Sequence, residues 1–172
     1  MTGLTRRQFT TLVGAGAASL TAPTYLRAQG KPRVVVIGGG AGGATAAKYI
    51  AKDSNGAIDV ILVEDSDSFT TCFFSNLYLG GLRDFQSITH SYDQLVSAYG
   101  ITKVTGHASA VDRAAKTVTM ADGATLAYDR LILSPGIDMI WDSVPGYSQA
   151  DAEIAPHAWQ AGPQTELLKA RL

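Results

Sequence analysis

The sequence predicts an α/β fold, with helices packed on a parallel sheet and a small antiparallel layer beside it. Three observations carry that prediction. A short apolar run, Arg33 to Ile37 in KPRVVVIGGG, leads directly into a glycine cluster and then a run of small residues. A second apolar run, Ile58 to Val63, ends on an acid. Further on, KTVTMADGATLAYD alternates apolar and polar residues around Asp122-Gly123. Continuous apolar runs suit strands covered on both faces, as in a parallel sheet, whereas alternation suits a half-exposed antiparallel hairpin.

The chain has 172 residues, enough for one domain with a real core, and 46% hydrophobic against 17% charged residues reads as globular. The charge is unevenly placed. Residues 1–28 hold Arg6, Arg7 and Arg27 and no acid, which leaves 11 basic against 15 acidic residues, a net of −4, in the rest. Phosphate backbones need a basic surface, so nucleic acid is not expected as a partner.

TRRQFTTLVGAGAASL places an arginine pair before a mildly apolar, Gly/Ala-rich run. That is the pattern of a twin-arginine export signal, with Ala28 as a cleavage point and the periplasm as destination. The competing reading is an uncleaved membrane anchor. The run from Phe9 to Leu20 has 12 residues, short of the roughly 20 that a spanning helix takes. No membrane span is expected in the mature chain.

After the first strand, Gly38, Gly40 and Gly43 form G-x-G-x-x-G, and Ala44 to Lys52 continues as a small-residue helix. Each glycine has its own task. Gly38 permits a tight turn, Gly40 lets the backbone approach a pyrophosphate, and Gly43 lets the helix pack closely on the strand; unpaired N–H groups at the helix start favour the phosphates. Glu64 ends the second strand 21 residues after Gly43, where an acid accepts hydrogen bonds from ribose hydroxyls. The bland alternative is a glycine-rich turn that binds nothing.

The alternating segment at 116–129 is a hairpin, and Asp122 serves its turn rather than acting as a base. RLILSPGI follows, a buried strand from Leu131 to Leu133 stopped by Ser134-Pro135-Gly136. Before the hairpin stands Gly106-His107-Ala108. In this order the segments resemble the FAD domain of the glutathione-reductase-like flavoproteins with two dinucleotide-binding domains. Ser134-Pro135-Gly136 matches the Ala-Thr-Gly position of that domain, although only Gly136 is identical. The match implies that Gly136 allows close backbone approach and that Ala108 meets adenine through its main chain. His107 is then an ordinary strand residue.

Cys72, the only cysteine, lies in TTCFFSNLYLGG. That stretch, with YDRLILSPGIDMIWDSVPGYS and APHAWQAGPQTELL, resembles the flavoprotein subunit of flavocytochrome c sulfide dehydrogenase, and the resemblance runs from about residue 33 to the end. It implies a covalent bond from Cys72 to the 8α methyl carbon of FAD, sulfide as substrate, and a c-type cytochrome subunit as electron acceptor. The residues themselves also allow a small buried thiol, a surface thiol or an intermolecular disulfide. Ser75 and Asn76 either contact flavin or hold the loop. His157 and Trp159 receive no chemical role, and no catalytic residue or metal site is assigned.

The expected organisation is an export signal at 1–28, the first part of a Rossmann-like FAD-binding domain at 29–147, and at 148–172 a linker and helix start leading to a second domain. Gly162-Pro163 opens that helix, with Thr165 in its cap region. The resemblance implies that the sulfide-reacting disulfide lies outside this sequence, which makes the chain an incomplete, inactive piece of poor stability on its own. Two other functions are weighed. One is a sulfide:quinone or NADH:quinone oxidoreductase-like flavoenzyme; the other is a non-catalytic nucleotide-binding fragment.

Overall fold

A computed structural model describes residues 30–141 and 143–172; the export signal read at 1–28, with Ala28, lies outside the described residues. In chain order the elements are β1 (Arg33–Ile37), α1 (Ala41–Asp53), β2 (Asp59–Glu64), β3 (Ser68–Thr70), α2 (Ser75–Leu79), β4 (Thr89–Ser91), α3 (Asp93–Tyr99) and β5 (Thr102–Thr105). There follow β6 (Ala108–Asp112), β7 (Thr117–Met120), β8 (Thr125–Ala127), β9 (Arg130–Leu133) and α4 (Pro163–Arg171).

Four strands form a parallel sheet in the order β5-β2-β1-β9. β1 sits inside it, with Val34 opposite both Val60 and Arg130. The side chains of β1 and β2 divide between two cores. Val34, Val36, Val60 and Leu62 face Ala47 and Ala51 of α1, together with Tyr92 and Ile101. Val35, Ile61 and Val63 face Val118, Met120, Ala124 and Leu126 of the antiparallel sheet β6-β7-β8. Both faces of β1 and β2 are therefore covered, which is why their sequences run continuously apolar. Each fully buried Val, Leu or Ile contributes about 1.5–3 kcal/mol relative to its exposed state.

Several boundaries differ from expectation. The first helix begins at Ala41, not Ala44, so Gly42 and Gly43 lie in its first turn. Gly43 has no room for a side chain. A Cβ on Gly43 would strike the Gly38 carbonyl oxygen. The second strand starts at Asp59 rather than Ile58 and ends on Glu64, as read. The third parallel strand, β5, and the small pair β3-β4 were not expected. β5 reads TKVT with only Val104 buried, and β3 and β4 have three residues each, too few to show a period.

The hairpin stands as read. Gly123 has φ +87°, and the Asp122 carboxylate accepts from the Ala124 N–H at 2.9 Å, which is the turn chemistry expected of it. At the end of the sheet remote from the glycine turn, Arg33 is 3% exposed. Its Nε donates to Asp59 at 2.7 Å, and its backbone N–H donates to Asp129 at 2.7 Å, which joins the starts of β1, β2 and the segment before β9.

Residues after β9 fold back rather than extend away. α4 opens after Gly162, whose φ of +136° suits glycine, and the Gly162 N–H donates to the Thr165 hydroxyl at 3.3 Å. α4 packs on α2, and no helix among the described residues is long and apolar enough to cross a membrane.

Candidate functional site

Two cavities lie side by side at the carboxyl ends of the parallel strands, and a third adjoins the second. The first, about 220 Å³, is lined by Gly38, Glu64, Asp65, Gly106, His107 and Ala108, among others. The second, about 460 Å³, shares Gly38, Glu64 and Pro135 with the first and adds Gly40, Phe69, Cys72, Ser134, Gly136 and Trp159. The third, about 640 Å³, shares Cys72 and Trp159 with the second and adds Ser75, Asn76 and His157. Ligands of open α/β sheets bind at this end of the strands.

The glycine turn is set by its neighbours. Gly38 has φ +96°, and a Cβ there would strike the Ser134 carbonyl oxygen, so β1 and β9 leave their sheet in contact. Gly40 is the N-cap of α1 in extended conformation, with no side chain bonded to the helix start. The first N–H groups of α1 lack partners inside the helix, and no side-chain cap from Gly40 competes for them. Gly43 does not line the cavities. It faces Gly38 and Ser134, in keeping with its packing task.

Glu64 touches the first two cavities. One carboxylate oxygen accepts from the Gly39 N–H at 2.6 Å, and the other accepts from the Ser66 N–H at 3.0 Å. Each oxygen keeps acceptor capacity for a hydroxyl. Asp65 beside it is held below the usual carboxylate range, chiefly by hydrogen bonding with Glu64, with burial opposing and Ser66 and His107 adding to the effect. His107 Nδ1 is 3.9 Å from Asp65 at the exposed mouth of the first cavity. Ala108 begins β6 in the same cavity, and Gly136 lines the second with φ +83°.

Cys72 opens a single 3-10 turn, Cys72–Phe74, whose preceding Thr71 hydroxyl accepts from the Phe73 N–H at 3.4 Å. The thiol is free and exposed, which sets aside the alternative of a small buried core thiol. It stands where the second and third cavities meet. His157 and Trp159, which the sequence left without a role, lie in the wall across from it.

Two contributors, Tyr92 and Phe69, escaped sequence reasoning, and Pro135 joins them from the Ser134-Pro135-Gly136 stop. Tyr92, just before α3, donates its hydroxyl to the Gly39 carbonyl at 3.0 Å. A Cβ on Gly39 would lie 2.5 Å from that hydroxyl. Phe69 of β3 stands 3.7 Å from where a Cβ of Gly40 would be, and Pro135 forms wall in two cavities. Neither Tyr92 nor Phe69 carries a local signal; only the crossover between β2 and β5 brings them back to the turn.

The residues fit an extended dinucleotide. An acid and a backbone edge lie at one end, a side-chain-free helix start in the middle, and a wider cavity with the thiol at the other. FAD has that succession of adenosine, pyrophosphate and ring.

Comparison with known proteins agrees. The sequence pattern of the family described as pyridine nucleotide-disulphide oxidoreductase matches residues 32–162. The flavoprotein chain of flavocytochrome c sulfide dehydrogenase from Chlorobaculum thiosulfatiphilum is 55% identical over 47 residues, 27% of this chain and 96% of that sequence. Sulfide-quinone reductase from Aquifex aeolicus is 31% identical over 109 residues, 63% of this chain and 25% of that protein. The crystal structure of the Aquifex aeolicus sulfide:quinone oxidoreductase superposes with a TM-score of 0.63 at 24% identity, covering 81% of this chain and 32% of that one, which speaks for the fold. Apart from the Chlorobaculum sequence, this chain spans about a quarter to a third of the length of such relatives. By its fold, its cleft and the match over residues 32–162, the chain belongs to the pyridine nucleotide-disulphide oxidoreductase family.

Proposed function

We propose that this chain is the FAD-holding part of an exported sulfide dehydrogenase, and that Cys72 bonds the flavin covalently and the electrons of sulfide leave to a c-type cytochrome. One observation carries the covalent claim: the single cysteine is exposed where the second cavity meets the third, the one that Glu64 does not line. The 55% identity with the Chlorobaculum flavoprotein chain supports the substrate and the cytochrome partner. The arginine pair at Arg6-Arg7 supports twin-arginine export to the periplasm.

Bound FAD would supply two-electron acceptance and release in single steps. The chain's own residues bind and orient. Glu64 accepts from the ribose, the α1 start after Gly40 faces the pyrophosphate, the Ala108 main chain meets adenine, and Gly136 leaves room for close approach. Cys72 anchors the ring, which prevents cofactor loss outside the cytoplasm. With one cysteine in the sequence, a sulfide-reacting thiol pair has to come from elsewhere.

A second reading, sulfide:quinone reduction, is supported by the 31% identity with the Aquifex aeolicus enzyme. The acceptor separates the two. Reduction of quinone without reduction of cytochrome c would favour the second.

The test of the anchor is direct. The full-length protein, precipitated in acid, is expected to keep its yellow colour in the pellet, with the Cys72 peptide heavier by one FAD. Colour wholly in the supernatant would overturn the claim. Cys72→Ser is expected to bind FAD dissociably.

A further inference from the structure

The cavity that holds Cys72 has two walls far apart in sequence, residues 72–76 and 156–159. Neither is held by extended regular structure. The first is a 3-10 turn running into the five-residue α2, and the second belongs to no helix or strand. Their own polar groups contribute little. Ser75 Oγ in one wall and His157 Nδ1 in the other are buried without a hydrogen-bond partner.

Both walls are instead tied to α4. Lys169 Nζ donates to the Tyr78 carbonyl at 2.7 Å, a bond spanning 91 residues. The same ammonium lies 4.1 Å from the centroid of the Tyr78 ring, which itself packs edge-on against Phe85 at 5.2 Å. Toward the other end of α4, Gln164 Oε1 accepts from the His157 backbone N–H at 3.3 Å. One helix thus spans the two walls, and Lys169 is its grip on the element that carries the thiol.

We propose that Lys169 is a positioning residue for Cys72: by fixing α2 it sets the approach of the sulfur to the flavin methyl carbon, and so the rate of thioether formation but not FAD affinity. This rests on the thioether reading of Cys72. In that reaction the S–H bond of Cys72 and one C–H bond of the methyl carbon break and the C–S bond forms. The two electrons and two protons released pass to dioxygen, which leaves as hydrogen peroxide. Reacting atoms must be held about 3–3.5 Å apart, and a misplacement of about 1 Å costs on the order of 100-fold in rate. Lys169 lies on neither the glycine turn nor the cavity walls, so FAD contacts survive its loss.

The experiment uses full-length apo-protein made under riboflavin limitation, mixed with FAD in air and quenched in acid at intervals. Covalent flavin is read by in-gel fluorescence, and dissociable FAD by filtration before any bond forms. Lys169→Met is expected to keep FAD affinity and melting temperature while thioether formation slows by about tenfold or more. Lys169→Arg, which keeps the charge and the ring contact, is expected to restore most of the rate. Lys169→Gln is the milder second variant, expected to fall between. A wild-type rate in folded Lys169→Met or Lys169→Gln overturns the positioning role and leaves the Cys72 anchor standing. Absence of any thioether in wild type and Lys169→Arg alike overturns the anchor, and this role with it.

Discussion

Gly39 can carry no side chain, and Tyr92 is the reason. The tyrosine hydroxyl would lie 2.5 Å from a Cβ there and donates to the Gly39 carbonyl at 3.0 Å, while the Gly39 N–H is held by Glu64 at 2.6 Å. The peptide at the heart of the glycine turn is thus fixed from both sides before a ligand arrives. Burial, and then the negative charges of Glu64 and Asp65, push the Tyr92 hydroxyl well above its ordinary pKa. A proton held more tightly in the folded state stabilises the fold below the ordinary tyrosine value, about 10, and that stability is lost as pH climbs toward the folded value. Tyr92→Phe is expected to cost about 1 kcal/mol near neutrality, by loss of the hydrogen bond to Gly39. It should also remove this alkaline component, leaving a smaller loss of stability above about pH 10 than in wild type. Thermal melts of both proteins across that range check it. A Phe variant that falls as steeply as wild type would place the alkaline transition elsewhere.

Among the elements, β1 carries the most of the architecture. One end delivers the glycine turn and the other is fastened by Arg33. Arg33→Ala would leave Asp59 without its partner in a poorly solvated place, an effect of about 3 kcal/mol or more. Urea denaturation is expected to show that loss, and a double variant with Asp59→Ala to show much less than the sum of the singles. β1, β2 and the hairpin were legible because each shows a period over its whole length: continuous where two faces are covered, alternating where one is. Gly38, Gly40, Gly43 and Glu64 were legible because their spacing is set by one turn and one crossover. β5, β3 and β4 were not, since a half-exposed edge strand and three-residue strands carry too few residues to repeat anything. Tyr92 and Phe69 escaped for another reason. Their contacts with the turn depend on how the crossover folds, and no local pattern encodes that. His157 and Trp159 were visible as part of a family-like stretch, yet their place opposite Cys72 follows from α4 folding back, which spacing does not reveal.

At the scale of the whole molecule, β9 pairs only with β1 and presents an open edge among the described residues. Leu133 at its end and Ile137, Ile140 and Val144 beyond it are exposed, with Ile140 at 81%. Open edges and contiguous apolar surface favour association. The 172-residue chain alone is therefore expected to self-associate at about micromolar concentration in sedimentation velocity runs. Ile137→Lys with Ile140→Lys should shift it toward monomer; an unchanged distribution would assign the contact to another face. The ring end of the cleft has one more property. Trp159 lines the second and third cavities, and Trp141 packs 6.0 Å from His157 at the border of the third. These are the two tryptophans of the sequence. Indole emits at wavelengths that flavins absorb, so the chain contains its own optical gauge. Ultraviolet-excited emission should dim as FAD enters the cleft, whether or not a covalent bond follows, and a titration in an ordinary fluorimeter would count occupied sites without any label.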